Sequence, residues 1–135
     1  MYTFETKTRV TYQDTDRMGY SYYGNYPTYY EIGRTELFRS LGMPYKFFED
    51  NGIMMPVLSM SVKYIKPAYY DDILTIKTYL KELPSARIKF DYEIFNTDGK
   101  LINIGDTVLV FVDGTTKKPI RAPEILINEI EKYFI

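Results

Sequence analysis

The sequence predicts an α+β chain in which one long helix packs across a highly curved antiparallel sheet. Three observations lead there. Apolar or small residues at Tyr26, Tyr30, Gly33, Leu37 and Leu41 step by three or four, the spacing of one helical face. Two-residue alternation marks one early segment and three later ones, and turn-forming residues separate them. A helix and a sheet must each bury an apolar face, and laying one across the other satisfies both. With 135 residues the chain falls in the range of one domain and is too short for two independent cores, so a single unit over residues 1–135 is expected.

Phe4 to Tyr12 alternates Phe4, Thr6, Thr8, Val10 and Tyr12 against Glu5, Lys7 and Arg9, a strand with one wet face. A polar loop, Gln13-Asp14-Thr15-Asp16-Arg17-Met18-Gly19, follows it. The long helix runs from about Tyr23 to Leu41. Pro27 fits only its first turn, Asn25 could cap it, and Gly42 before Met43-Pro44 supplies a left-handed stop. A short helix over Pro44 to Asp50 is closed by Asn51-Gly52. Leu58 to Ile65 and Leu74 to Lys81 alternate as strands, with Pro67 to Asp72 as the turn between them. Arg87 to Ile94 is a third such strand, and Asn96-Thr97-Asp98-Gly99 turns it into Leu101 to Val112. That last strand is apolar on both faces, which places it centrally. Pro123 to Phe134 reads as a closing helix with proline at its start. The free edges and outer face of such a sheet invite a second copy, so a homodimer or homotetramer is expected.

Composition removes whole classes of function. Hydrophobic residues at 45% and charged residues at 26% argue against disorder, and no apolar run approaches the length of a membrane span. The first residues carry acid early and show no apolar leader, so a cytoplasmic setting is expected. A net charge of −1 with mixed signs gives no field for nucleic acid. Cysteine and histidine are both zero, which excludes thiol nucleophiles, imidazole bases, Ser-His-Asp triads and zinc held by either residue. Neither metal nor other cofactor is expected. Any acid or base work falls on Asp, Glu, Lys or Tyr, or on substrate and water. Tyrosine, 15 residues and dense between Tyr20 and Tyr30, could line a ligand cleft, a subunit seam or ordinary packing.

The run Tyr12-Gln13-Asp14-Thr15-Asp16-Arg17-Met18-Gly19, followed by Tyr22-Tyr23-Gly24-Asn25-Tyr26 and Glu31-Ile32-Gly33-Arg34, resembles the hotdog-fold acyl-CoA thioesterases of the 4-hydroxybenzoyl-CoA thioesterase type. Tyr64-Ile65-Lys66-Pro67-Ala68, Tyr70 to Ile76, and Val112-Asp113 leading to Lys118-Pro119-Ile120 are also similar to that family, in collinear order. The resemblance implies a hotdog fold, an acyl-CoA substrate and thioester hydrolysis. It implies that Asp16 is the catalytic carboxylate, and that the amide of Tyr23, with Gly24 beside it, polarises the thioester carbonyl. Histidine stands at the Tyr23 position in many relatives and not here. Lys118 is the implied anchor of the nucleotide end, while the family's arginines after the third strand are not reproduced at Pro84-Ser85-Ala86.

Physical chemistry supports part of this without the family. A helix start offers unpaired amides and partial positive charge to a developing oxyanion. Aspartates ordinarily titrate at about 3.9, so one in a loop is ionised at neutral pH and can attack a carbonyl or activate water. If the loop is extended, Asp14 and Asp16 share a face, and only the resemblance separates them. Asp16 as a plain turn residue is the bland alternative. Tyr22, Tyr23 and Tyr26 are candidate walls of an acyl pocket or members of a dimer seam, with core packing at least an equal reading for Tyr26. Glu31 lies roughly 10 to 12 Å down the helix from Tyr23, a separation that makes direct attack strained and favours a supporting or structural role. Its spacing to Arg34 and Thr35 suits a helix-surface pair, so it is a supporting candidate on the substrate side. The phosphates of CoA call for cations, and Lys63, Lys66, Arg87, Lys89, Lys117 and Arg121 are further candidates beside Lys118. The rival function is a hotdog module that binds an acyl or aryl ligand without cleaving it.

Overall fold

A computed structural model describes all 135 residues. In chain order it contains β1 (Tyr2–Arg9), α1 (Tyr26–Ser40), α2 (Tyr45–Asp50), β2 (Ile53–Met54), β3 (Val57–Tyr64), β4 (Ile73–Leu80), β5 (Arg87–Phe95), β6 (Leu101–Asp113), β7 (Pro119–Ile120) and α3 (Glu124–Ile130). Short 3-10 turns cover Tyr12–Asp14, Tyr23–Asn25 and Glu131–Phe134. The sheet runs β1-β4-β5-β6 with every pairing antiparallel, and β3, β2 and β7 all pair with β6. β6 is therefore central, as its two apolar faces lead one to expect. No helix is long and apolar enough to cross a membrane.

α1 buries Tyr26, Tyr29, Tyr30, Gly33, Arg34, Leu37 and Phe38, a stripe at steps of one, three and four that faces the sheet. Beneath it the inner faces of β4 and β5 present Leu74, Ile76, Leu80, Ile88, Phe90, Tyr92 and Ile94, all fully buried. Each such side chain contributes roughly 1.5–3 kcal/mol by leaving water. Helix and sheet approach closely at Gly33, where an added Cβ would meet Thr78 Oγ1 and come within 2.8 Å of Ile76 Cγ2. Gly42, at φ +77°, ends α1 as expected, and the Met43 amide returns to the Phe38 carbonyl at 3.0 Å.

The core is polar in places. Tyr30 donates to Asn103 Oδ1, and the Tyr92 and Thr107 hydroxyls share a hydrogen at 2.6 Å. The Tyr30 and Tyr92 rings stack at 4.3 Å and 6°. Burial pushes the hydroxyls of Tyr26 and Tyr92 up to about 12, and raises that of Tyr30 as well. An unfolded tyrosine ionises near 10, so from about pH 10 to 12 the unfolded chain has lost protons that the native one keeps. Stability is therefore fully present below about pH 10 and falls above it, by about 1.4 kcal/mol per pH unit for each such tyrosine. Urea midpoints should be flat up to about pH 9.5 and drop beyond. Midpoints constant to about pH 11.5 would contradict this.

Three local expectations are corrected. The first strand ends at Arg9 and does not reach Tyr12, because Thr11 and Asp14 close a 3-10 turn in which Asp14 Oδ2 accepts from the Thr11 amide at 2.9 Å. The α-helix proper starts at Tyr26, one 3-10 turn after Tyr23, and Asn25 does not cap it. The Asn25 amide group instead donates to the Asp14 carbonyl at 2.6 Å and to Ser21 Oγ at 3.3 Å. Finally, Pro67 to Asp72 is no hairpin turn. β3 pairs with β6 and β4 with β1, so residues 65–72 cross between distant positions of the sheet. That crossing shapes the site.

Candidate functional site

The polar loop after β1 folds back on itself. Thr15 bridges Ser21, the Asp16 amide donates to the Tyr20 carbonyl at 3.2 Å, and the Gly19 amide to the Asp16 carbonyl at 3.0 Å. Gly19 takes φ +83°, a backbone state that suits glycine. The crossing segment locks this loop from the other side, since Tyr20 bridges Tyr69 and the Ser21 amide donates to the Ala68 carbonyl at 2.6 Å. Between loop, crossing segment and helix start opens a cleft of about 370 Å³. Asp16, Tyr23, Tyr26, Tyr64, Ile65 and Lys66 line it, with Tyr20, Ser21 and Pro67.

The two loop aspartates now differ. Asp14 is spent on the Thr11 amide. Asp16 Oδ1 accepts from the Met18 amide at 2.8 Å, a turn-stabilising bond, while Oδ2 has no protein donor and the residue is exposed. The structural role of a turn aspartate thus occupies one oxygen and leaves the other available. Asp16 is the only carboxylate that lines the cleft.

The helix entrance lines the same cleft through Tyr23. The Tyr22 amide bonds the Asp14 carbonyl at 2.8 Å and the Asn25 amide bonds the Tyr22 carbonyl at 3.0 Å. Tyr23 and Gly24 between them open the turn, where backbone donors have no helical acceptor. Tyr64 reaches across from the end of β3 and donates to the Tyr23 carbonyl at 2.9 Å, with its ring edge-on to Tyr26 at 5.2 Å. Burial raises Tyr26 to about 12 and also raises Tyr64. These phenols are neutral hydrogen-bond donors at physiological pH and do not serve as bases.

The other sequence candidates fall as follows. Tyr22 lies outside the cleft lining, its ring against Tyr23 at 4.5 Å and over Gly24, where an added Cβ would strike it. Tyr26 is both core and wall. Glu31 is exposed on α1 and away from the cleft, and the expected surface pair with Arg34 does not form. Arg34 turns inward, where its Nε donates to Tyr45 Oη at 2.8 Å. Lys118 sits on the exposed turn between β6 and β7, also outside the cleft. In that turn the amides of Thr116 and Thr115 hold the Asp113 carboxyl below its usual range. Of the strand and late-loop cations only Lys66 lines the cleft. Tyr20, Ser21, Tyr64, Ile65 and Pro67 were not among the sequence candidates. Only the tyrosine density hinted at Tyr20, and the crossing that brings in residues 64–67 leaves no local signal.

The chain is similar in sequence and fold to known proteins. The chain is 31% identical over 121 residues to YneP of Bacillus subtilis (strain 168), covering 90% of this chain and 88% of that protein. It is 30% identical over 129 residues to the acyl-CoA thioester hydrolase YbgC of Escherichia coli O6:H1, covering 96% of each. Among solved structures, the DHNA-CoA thioesterase from Staphylococcus aureus superposes with a TM-score of 0.87 at 34% identity, over 99% of this chain and 87% of that one. The profile of the Thioesterase-like superfamily matches residues 10–130, and by sequence, sheet order and central helix the chain belongs to that superfamily of hotdog-fold thioester hydrolases.

Proposed function

We propose that the protein hydrolyses acyl-CoA thioesters to the free acid and CoA, in the cytoplasm, with Asp16 as the catalytic carboxylate. The observation that carries this reading is the cleft itself. Its one carboxylate has an unbonded oxygen and shares a tyrosine-walled hollow with the helix start. With the thioester carbonyl oxygen at the Tyr23 amide, seconded by Gly24, the dipole of α1 favours the negative charge that develops there. Asp16 then acts in one of two ways. As a base it takes a proton from water, whose oxygen attacks the carbonyl carbon. As a nucleophile it forms a mixed anhydride that water opens. Both routes break the carbon–sulfur bond and release CoA as thiolate. Tyr26 and Tyr64 would wall the acyl group, with Tyr22 holding the Tyr23–Gly24 turn from behind. Lys66 at the cleft and Lys118 on the late turn would meet the charged end of CoA, and Glu31 would serve from the supporting side of α1.

Thiol release from aliphatic, branched and aromatic CoA esters tests the reading. Turnover of at least one class is expected. Saturable binding of every class with no free thiol would make the protein a binding module instead.

We also propose that a second copy covers β3. Its outer edge has no partner strand, and Val57, Leu58, Met60 and Tyr64 are 43–52% exposed, an apolar row that an isolated chain would leave in water. A homodimer, or a homotetramer of two such pairs, would cover it. Sedimentation velocity at micromolar concentration should show two or more chains, and a monomer would overturn the assignment.

A further inference from the structure

A second hollow, of about 280 Å³, opens between the middle of α1, α2 and the β2 segment. Phe48, Ile53, Met54 and Met55 give it apolar walls, and two charged residues line it, Arg34 and Glu49. It shares no residue with the Asp16 cleft. Tyr26, which lines that cleft, lies eight positions from Arg34 on α1, about 12 Å of helix.

Arg34 is only 8% exposed, yet none of the six ion pairs of the molecule includes it. Its Nε donates to the Tyr45 hydroxyl at 2.8 Å, and the Tyr92 hydroxyl lies alongside. No protein carboxylate or carbonyl accepts from it. Burial opposes its charge, but the Tyr45 and Tyr92 oxygens more than offset this and keep the guanidinium ionised, while no group of opposite charge pairs with it. An anion in the hollow would add the oppositely charged partner that the protein does not supply, and a planar fork of N–H donors matches a carboxylate in particular. A second cation stands at the rim. Lys117 takes φ +62° and holds its Nζ 3.5 Å from Met54 Sδ, with the Asp113 carboxylate beside it, so Arg34 is the cation that lines the hollow itself.

We infer that this hollow binds a small organic monocarboxylate, with its carboxylate on Arg34 and its apolar body against Phe48, Ile53, Met54 and Met55. The volume suits a short chain or a single ring. The apolar walls disfavour inorganic phosphate, which would bring a second charge and no apolar surface. Glu49 at the same hollow disfavours a ligand with two negative charges for a related reason.

Titration of the intact chain with hexanoate and benzoate, followed by ¹³C-methyl methionine NMR and calorimetry, tests this. The Met54 and Met55 methyl signals should shift saturably, while Met18 on the Asp16 loop stays still. Hexanamide and inorganic phosphate should bind far more weakly than hexanoate. Arg34→Met should weaken hexanoate by about tenfold or more, the loss of a charge-assisted bond. Glu49→Gln, a change at an exposed residue, should tighten it by about two- to threefold through removal of a like charge. Equal binding of acid and amide, phosphate matching hexanoate, or shifts at Met18 in place of Met54 and Met55 would overturn the inference. Should Arg34→Met fail to fold by circular dichroism, Glu49→Gln decides, and an unchanged affinity there overturns the inference. The readout is binding, so a failure of thioester turnover would leave this result standing.

Discussion

Asp16→Asn is expected to lower turnover of the best acyl-CoA by about 10² to 10⁴ while the fold is kept. Asparagine preserves shape, and its side-chain oxygen can still accept from the Met18 amide as Asp16 Oδ1 does at 2.8 Å, so the turn persists. What disappears is the anionic oxygen that no protein group occupies. No other carboxylate lines the cleft to replace it, Tyr26 and Tyr64 are held neutral, Lys66 is a cation, and histidine and cysteine are missing from the chain. The loss should appear in kcat and kcat/KM together if the carboxylate acts only in the transition state. Thiol release at the wild-type rate would remove Asp16 from the mechanism.

Gly105→Ala should destabilise the protein by about 3 kcal/mol, a larger effect than one methyl group normally has. An added Cβ at this position on β6 would lie 2.5 Å from Tyr30 Cζ and 2.6 Å from the Ser61 carbonyl oxygen of β3. Neither neighbour can yield cheaply. Tyr30 is fully buried, stacked on Tyr92 and hydrogen-bonded to Asn103, and the Ser61 oxygen belongs to a paired strand. The same substitution at Gly33 is also costly, because its Cβ would meet Thr78 Oγ1 and come within 2.8 Å of Ile76 Cγ2, atoms of stiff, fully buried side chains, against about 1 kcal/mol recovered in helix propensity. Urea denaturation of Gly105→Ala measures the effect, and a midpoint equal to wild type would show that the sheet accommodates the methyl group.

The long helix and the inner strands were legible because their signals are local. Steps of three and four across Tyr26 to Leu41, and alternation in β4 and β5, depend on neighbours a few residues apart. Sheet order was not legible. β3 and β4 are consecutive, and Pro67 to Asp72 between them has the composition of a turn, yet their partners are β6 and β1. Pairing is decided by which faces can be buried together, and alternation alone carries no partner. The two-residue strands β2 and β7 fall below any periodic signal. At the site, the pattern around Asp16 and Tyr23 could be read along the chain, whereas Tyr64, Ile65 and Pro67 come from the far wall. Arg34 was misread for a physical reason. Charged side chains are ordinarily solvated, so the spacing to Glu31 suggested a surface pair, but the apolar stripe of α1 is wide enough to carry Arg34 inward beside Tyr45.

The crossing between β3 and β4 also sets when the enzyme can come into being. One wall of the cleft carries Tyr20 and the other meets it through Tyr69, so the walls join only after a loop of nearly fifty residues has closed. Closing long loops is entropically slow compared with winding α1 or zipping the β5–β6 hairpin. A chain emerging from denaturant should therefore hold α1 and the β5–β6 hairpin before it possesses a working cavity.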